Sequence, residues 1–296
     1  MKIAVGIPNS LAGTPGRVFT EWATLAEECG FSSLGSIGRI AFDSHEELMT
    51  FAACAAVTQR IGFLTTVLLG PVRETALLAK QAATLDSLSG GRFKLGLGLG
   101  AREDDYTVTD TPFAQRGDQL EEQLKTLKAI WRGEHIRGID AAVGPRPFTA
   151  GGPRVILSGR AEAPIKRAGR MADGFVATPV GPEGSQEQFE LVKQAWNDRP
   201  GYPYLGGSCY FALGPEVQEQ AEANVRDYYA FGGEEFINTI LDGLIRSPQQ
   251  AREIVEGMEQ TDAEEFFFWP VVPHLDQLTR LSDCLAMTGA ERAARR

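Results

Sequence analysis

The sequence predicts a (β/α)8 barrel, and three observations lead to it. Short β-rich runs alternate with longer stretches of helical period from one end of the chain to the other. The strand runs are apolar on both faces, as parallel strands covered by helices must be. Eight such strand–helix units fit in 296 residues, a count and length that suit a closed barrel better than an open sheet.

The elements follow in order. "KIAVGI" (2–7) reads as a buried strand. Residues 17–29 place Val18, Trp22, Leu25, Ala26 and Cys29 on one helical face, and Gly30 ends that helix where a left-handed residue is needed. "SLGSI" (33–37) is the second strand and 46–58 an alanine-rich helix. "IGFLTTVLL" (61–69) is the third strand, followed by a helix over 75–88 that "SGG" stops. "RFKLGLG" (92–98) precedes an amphipathic helix over 116–131. "RVILS" (154–158), helix 161–172, "GFVAT" (174–178), helix 185–197, "SCYFAL" (208–213) and helix 216–230 continue the rhythm. Helix 248–259, strand 264–271 and helix 274–287 complete it. The stretches 132–153 and 231–247 break the alternation and read as insertions in βα loops. No linker with a shifted composition interrupts the chain, so residues 1–296 are expected to form one domain.

A net charge of −10, spread along the chain, argues against nucleic acid or an anionic membrane as partner, since either needs a concentrated basic face. The short basic "ERAARR" (291–296) reads as a solvated end. Cys29, Cys54, Cys209 and Cys284 form no C-x-x-C pair and sit mainly in apolar contexts. That usage suits free thiols in a reducing cytoplasm, with no metal site. Neither a signal peptide nor an apolar run of membrane-spanning length is visible.

The stretch "KLGLGLGAREDDY" (94–106) contains Gly96, Gly98 and Ala101 in the spacing G-x-G-x-x-A, a form of the dinucleotide fingerprint. That fingerprint belongs in a first βα unit and opens an apolar-faced helix. Here it ends the fourth strand and leads into Glu103, Asp104 and Asp105, which would repel a pyrophosphate. The alternative places Gly96, Gly98 and Gly100 on one strand face. There they either leave room for a flat ligand at the barrel mouth or allow close backbone packing.

"AKQAATLDSLSGGRFKLGLGLGAREDDY" and "FAQRGDQLEEQLKTLKAIWRGE", with "LTTVLLGPVRET" and "ILSGRAEAPIKRAGRMADGFVAT", resemble the bacterial-luciferase-like family of flavin and deazaflavin oxidoreductases. The similarity runs in order from residue 1 to about 287. It implies a (β/α)8 barrel, a flavin at the C-terminal ends of the strands, and a homodimer. It also implies a non-proline cis peptide under the flavin ring, which falls between Thr66 and Val67. In the resembling family the region after the strand at 154–158 takes the cofactor phosphate. That role carries to Ser158, Gly159 and Arg160, and more loosely to Thr178. A helix start there offers free N–H groups and Arg160 adds a charge. Gly98 is a further cofactor-contact candidate.

The chain departs from the family after the second strand. Where several members carry a catalytic histidine, this sequence has Gly38-Arg39, and His45, His135 and His274 lie elsewhere. The acid of the family's sugar-phosphate dehydrogenases aligns with Ala101. Arg39 is the remaining catalytic candidate, as an anchor for an anionic substrate or oxyanion; a structural ion pair is the competing reading. The resemblance implies a monooxygenase using reduced FMN, supplied by a partner flavin reductase, and O2 on a small organic substrate; the cysteine usage and the lack of a signal or membrane-spanning segment lead to the expectation that it is cytoplasmic. Hydride transfer with the deazaflavin coenzyme F420 is the alternative, less favoured because its anionic tail calls for a basic rim. A barrel that binds flavin or assembles without catalysis is a third.

Overall fold

In a computed structural model, which describes residues 1–197 and 199–287, nine parallel strand segments close on themselves. They are β1 (Lys2–Gly6), β2 (Ser33–Ser36), β3 (Gly62–Thr65), β4 (Leu68–Leu69), β5 (Phe93–Gly98), β6 (Arg154–Ser158), β7 (Gly174–Val176), β8 (Tyr204–Phe211) and β9 (Glu265–Pro270). The order β3-β2-β1-β9-β8-β7-β6-β5-β4, with a further β3–β5 pairing, makes the circle. β3 and β4 are two halves of one barrel strand, so the expected eight-stranded barrel is the observed one. The helices are α1 (Arg17–Cys29), α2 (Glu47–Ala56), α3 (Thr75–Leu88), α4 (Glu103–Thr107), α5 (Arg116–Trp131) and α6 (Glu162–Met171). They continue with α7 (Gly181–Trp196), α8 (Gln218–Tyr228), α9 (Gly233–Asp242), α10 (Pro248–Met258) and α11 (Asp276–Cys284).

Strand alternation divides the core in two. Ile3 and Val5 on β1, with Phe266 and Phe268 on β9, pack outward against helix residues such as Trp22, Ala26 and Leu278. Ala4, Leu64, Ile156, Val176, Phe267 and Trp269 fill the barrel interior. α1 ends at Gly30 with φ 89°, the left-handed cap its sequence required.

Four local expectations are corrected. The third strand is not continuous from 61 to 69. Leu64 pairs with Lys94 and Leu68 with Leu97, so β3–β4 carries one extra residue against β5 and bulges between 65 and 67. The acidic stretch after β5 contains a short helix, α4, and the 231–247 insertion contains α9. The 132–153 stretch enters β6 and so lies at the N-terminal ends of the strands, not in a βα loop. Lys80 donates to its Gly144 carbonyl and Thr149 to Asp86 there. β8 begins at Tyr204, ahead of the strand expected over 208–213, and Tyr202 before it is 93% exposed. The basic tail 291–296 lies outside the described residues, and the helix expected over 274–287 is observed as Asp276–Cys284. Cys29, Cys54, Cys209 and Cys284 form no disulfide with one another. Among the described residues no helix is long and apolar enough to cross a membrane, and no cluster could hold a metal ion.

Candidate functional site

The bulge between β3 and β4 opens onto a cavity of about 550 Å3 at the C-terminal ends of the strands. The peptide bond between Thr66 and Val67 is cis, at the position the family resemblance implied. The Thr66 backbone N–H and hydroxyl both donate to the Ser36 carbonyl, at 2.7 and 3.0 Å, which fixes the bulge to β2. Gly98 on β5 faces it: a Cβ there would stand 2.3 Å from Val67 Cγ2. Gly96 answers the glycine question differently. Its Cβ would fall 1.6 Å from the Thr65 carbonyl oxygen, so that position serves close backbone packing rather than a ligand. Gly98 and Gly100 line the cavity and Gly96 does not.

Across the cavity, Ser158, Gly159 and Arg160 lead from β6 into α6 and line the wall together with Ala161 and Thr178. Ala161 provides no side-chain cap, so the N–H groups of the first turn keep their capacity for an anion. Arg160 is exposed and makes no ion pair among the described residues. The Thr178 hydroxyl is buried without a hydrogen-bond partner. Thr66, Val67, Gly98, Ser158, Gly159, Arg160 and Thr178 are therefore brought to one cavity.

Arg39 is not among the lining residues, although Gly38 is. Its guanidinium bonds Asp104 at 2.6 Å, lies 3.7 Å from Asp105, and stands over the rings of Phe42 and Tyr228 at 5.0 and 6.0 Å. Asp105 in turn accepts from the N–H groups of Ile40 and Ala41, both at 2.7 Å. The loop after β2 is thus tied to α4, behind the cavity wall. His45 packs its ring against Phe19, and His135 stands beside Asp140.

The cavity also holds residues that sequence reasoning missed. Arg102 and Arg116 line it, and neither has a carboxylate partner among the described residues. Arg102 donates to the Tyr228 carbonyl at 2.7 Å and lies 3.9 Å from the Phe231 ring centre; Arg116 lies 3.6 Å over Phe113. With Arg160 they make three cations against one lining acid, Asp105. The chain is acidic overall, yet this rim is basic, a correction to the sequence expectation. The remaining wall is aromatic: Tyr210, Tyr228, Tyr229, Phe231, Phe236 and Trp269. Tyr228 ends α8 and Phe236 lies on α9, so the insertion roofs the cavity. Burial holds the hydroxyls of Tyr210, Tyr228 and Tyr229 above the usual phenol range.

A sequence profile described as luciferase-like monooxygenase matches residues 2–267. An uncharacterised protein of Mycobacterium tuberculosis is 30% identical over 166 residues, 53% of this chain; the chain spans little more than half of that relative, 58% of its length. The FMNH2-dependent dimethylsulfone monooxygenase of Pseudomonas putida is 27% identical over 266 residues, covering 80% of this chain and 72% of that protein. Among solved structures, an F420-dependent secondary alcohol dehydrogenase in complex with an F420–acetone adduct has the same fold. Its TM-score is 0.81 at 17% identity, covering 97% of this chain and 99% of that one.

Proposed function

Since this chain belongs to the luciferase-like monooxygenase family, we propose that it is a flavin-dependent oxidoreductase, a monooxygenase taking reduced FMN and O2 to a small organic substrate. The observation that carries this reading is the single cavity with a backbone bulge at one wall and an anion-ready helix start at the other. The residues present suit such a cofactor. Thr66, Val67 and Gly98 offer a surface of backbone and small groups to a flat ring. Ser158, Gly159, Arg160 and the α6 N–H groups offer donors to a phosphate, and Thr178 has an unpartnered hydroxyl beside them.

When bound, reduced FMN supplies the electrons for oxygen chemistry. The chain's own part is to hold, shape and dry the site. With a cofactor bound beneath it, the aromatic roof would limit the access of water, and dipoles and charges facing the cavity would act more strongly. Arg102 places a positive charge at that roof, with no neutralising carboxylate among the described residues. Arg39 serves as a positioning residue, through the ion pairs that hold the loop after β2 against α4.

The basic rim supports a second reading, hydride transfer with F420, whose longer anionic tail would also meet Arg102, Arg116 and Arg160. Titration with FMN, FMNH2 and F420, following fluorescence and then turnover, separates the two. Transfer of one atom of O2 into a substrate at the expense of FMNH2, above the spontaneous reoxidation of free FMNH2, marks a monooxygenase; substrate reduction with reduced F420 marks the second reading. Binding without turnover by either would favour a flavin-binding protein that lacks catalysis. A separate reductase supplying FMNH2 and a homodimeric state belong to the same proposal. For the dimer, α2 and α3 leave Met49, Leu77 and Leu88 exposed, and sedimentation as a monomer at micromolar concentration would contradict it.

A further inference from the structure

We propose that the paired hydroxyls of Tyr210 and Tyr229 bind the carbonyl oxygen of the substrate, so that the substrate is a neutral ketone or aldehyde with an apolar or aromatic body. This rests on the flavin-dependent reading above, because it assigns the part of the same cavity that a flavin would leave to substrate.

The argument is a count of protons. Tyr210 and Tyr229 come from β8 and from the turn after α8, both line the cavity, and their hydroxyls are hydrogen-bonded to each other. Each hydroxyl carries one proton. One proton makes the mutual bond, and the other is left without a use inside the pair. Two further hydroxyls on the wall have none to offer: Ser208 donates to the Ala177 carbonyl at 3.1 Å and Thr239 to the Glu235 carbonyl at 2.9 Å, while the unpartnered Thr178 hydroxyl belongs to the wall assigned above to the phosphate. Asp105, the one lining acid, already accepts from Ile40 and Ala41. The surroundings of the pair are the rings of Tyr228, Phe231 and Phe236, in contact with Tyr229 at 5.0, 6.3 and 5.5 Å between ring centres. A buried donor in such a wall costs free energy until an acceptor arrives. The matching ligand has an apolar body and one neutral acceptor oxygen. The Arg102 guanidinium, 6.0 Å from the Tyr229 ring centre, favours negative charge developing on that oxygen. Ionic carboxylates are a poorer match for the aromatic wall, which would strip their hydration.

The pairing makes a distinctive prediction. In Tyr210→Phe or Tyr229→Phe the surviving hydroxyl loses its partner, and its proton becomes free for the ligand. Each single variant should therefore keep the carbonyl preference that the double variant loses. The probes are acetophenone and α-methylstyrene, which share a shape and differ in the oxygen. Their affinities are measured by ligand-observed NMR on the whole protein. The wild type should favour acetophenone by roughly 3- to 10-fold, the worth of one neutral hydrogen bond. Both single variants should retain most of this ratio, and Tyr210→Phe/Tyr229→Phe should bring it to about 1 or below, since the ketone oxygen then lies unpaired against the aromatic wall. Equal affinities in the wild type, no acetophenone binding, or an unchanged ratio in the double variant would each overturn the proposal. The wild-type ratio needs no variant to fold. FMN affinity measured on the same samples keeps the two readings apart: failure of FMN binding strikes the flavin reading, and loss of the ratio with FMN binding intact strikes only this one.

Discussion

Thr65 ties together β3 and β5 beside the bulge: its hydroxyl donates to the Gly96 carbonyl and accepts from the Gly96 N–H, each at 2.8 Å. The side chain thus replaces the ladder bonds that the extra residue of β3–β4 removes. Thr65→Val keeps the shape and deletes both bonds, leaving two buried backbone groups unpaired. The expected loss is on the order of 1–3 kcal/mol for each group, read as a fall in urea midpoint, whereas Thr65→Ser should lie close to wild type. A Thr65→Val protein as stable as the parent would mean that the bulge is held elsewhere.

Gly98 and Gly96 should respond differently to alanine. At Gly98 the new methyl meets the end of the Val67 side chain; at Gly96 it meets the Thr65 backbone carbonyl, which cannot turn aside. Gly96→Ala should cost more stability, at or beyond the upper end of the roughly 1–3 kcal/mol typical of overpacking. Gly98→Ala should fold and bind FMN more weakly, because Gly98 lines the cavity. Thermal melts together with FMN titrations of both variants decide it.

Glu47 gives the protein a pH signature. Burial pushes its carboxyl up from its ordinary value of 4.5 to about 7, against the pull of Arg73, which bonds it at 3.0 Å. The folded state therefore keeps a proton that the unfolded chain releases near pH 4.5. The contribution of this group is fully favourable below pH 4.5 and is lost as pH rises to about 7, by on the order of 3 kcal/mol. Glu47→Gln should flatten stability between pH 4.5 and 7 and be more stable than the parent at pH 8. The same slope in both proteins would assign the dependence to another group.

Arg39→Ala should leave FMN affinity near that of the wild type and lower kcat, since Arg39 lies behind the wall and its loss frees the loop after β2. It should also lower the melting temperature, because Asp105 is buried and loses its neighbouring charge. A raised KM with kcat unchanged would instead indicate direct contact with substrate.

The strand–helix alternation was readable because both faces of each strand are buried, and the helices over 75–88 and 116–131 fall where their apolar periods end. That Gly98, Thr66 and 158–160 line one cavity was within reach too, since each belongs to a contiguous stretch at a strand end. The roof was not. Arg102 and Tyr228 are 126 residues apart and meet only after the barrel closes. α9 did carry a signal, with Phe236, Ile237, Ile240 and Leu241 recurring at helical spacing, but it falls outside the strand–helix alternation, so the stretch read as an insertion. The basic rim was hidden for the same reason: its three arginines lie on separate segments of an acidic chain.

The placement of a phosphate-bearing cofactor at the start of α6 is tested most directly by measuring FMN and riboflavin affinities for the wild type and Arg160→Ala. Removing this arginine deletes one charge-assisted hydrogen bond and leaves the backbone donors, so FMN affinity should fall by on the order of 10- to 100-fold, about 1.5–3 kcal/mol. Riboflavin has no phosphate, and its affinity should hardly change. FMN binding untouched by the substitution, or riboflavin weakened as much as FMN, would contradict the account.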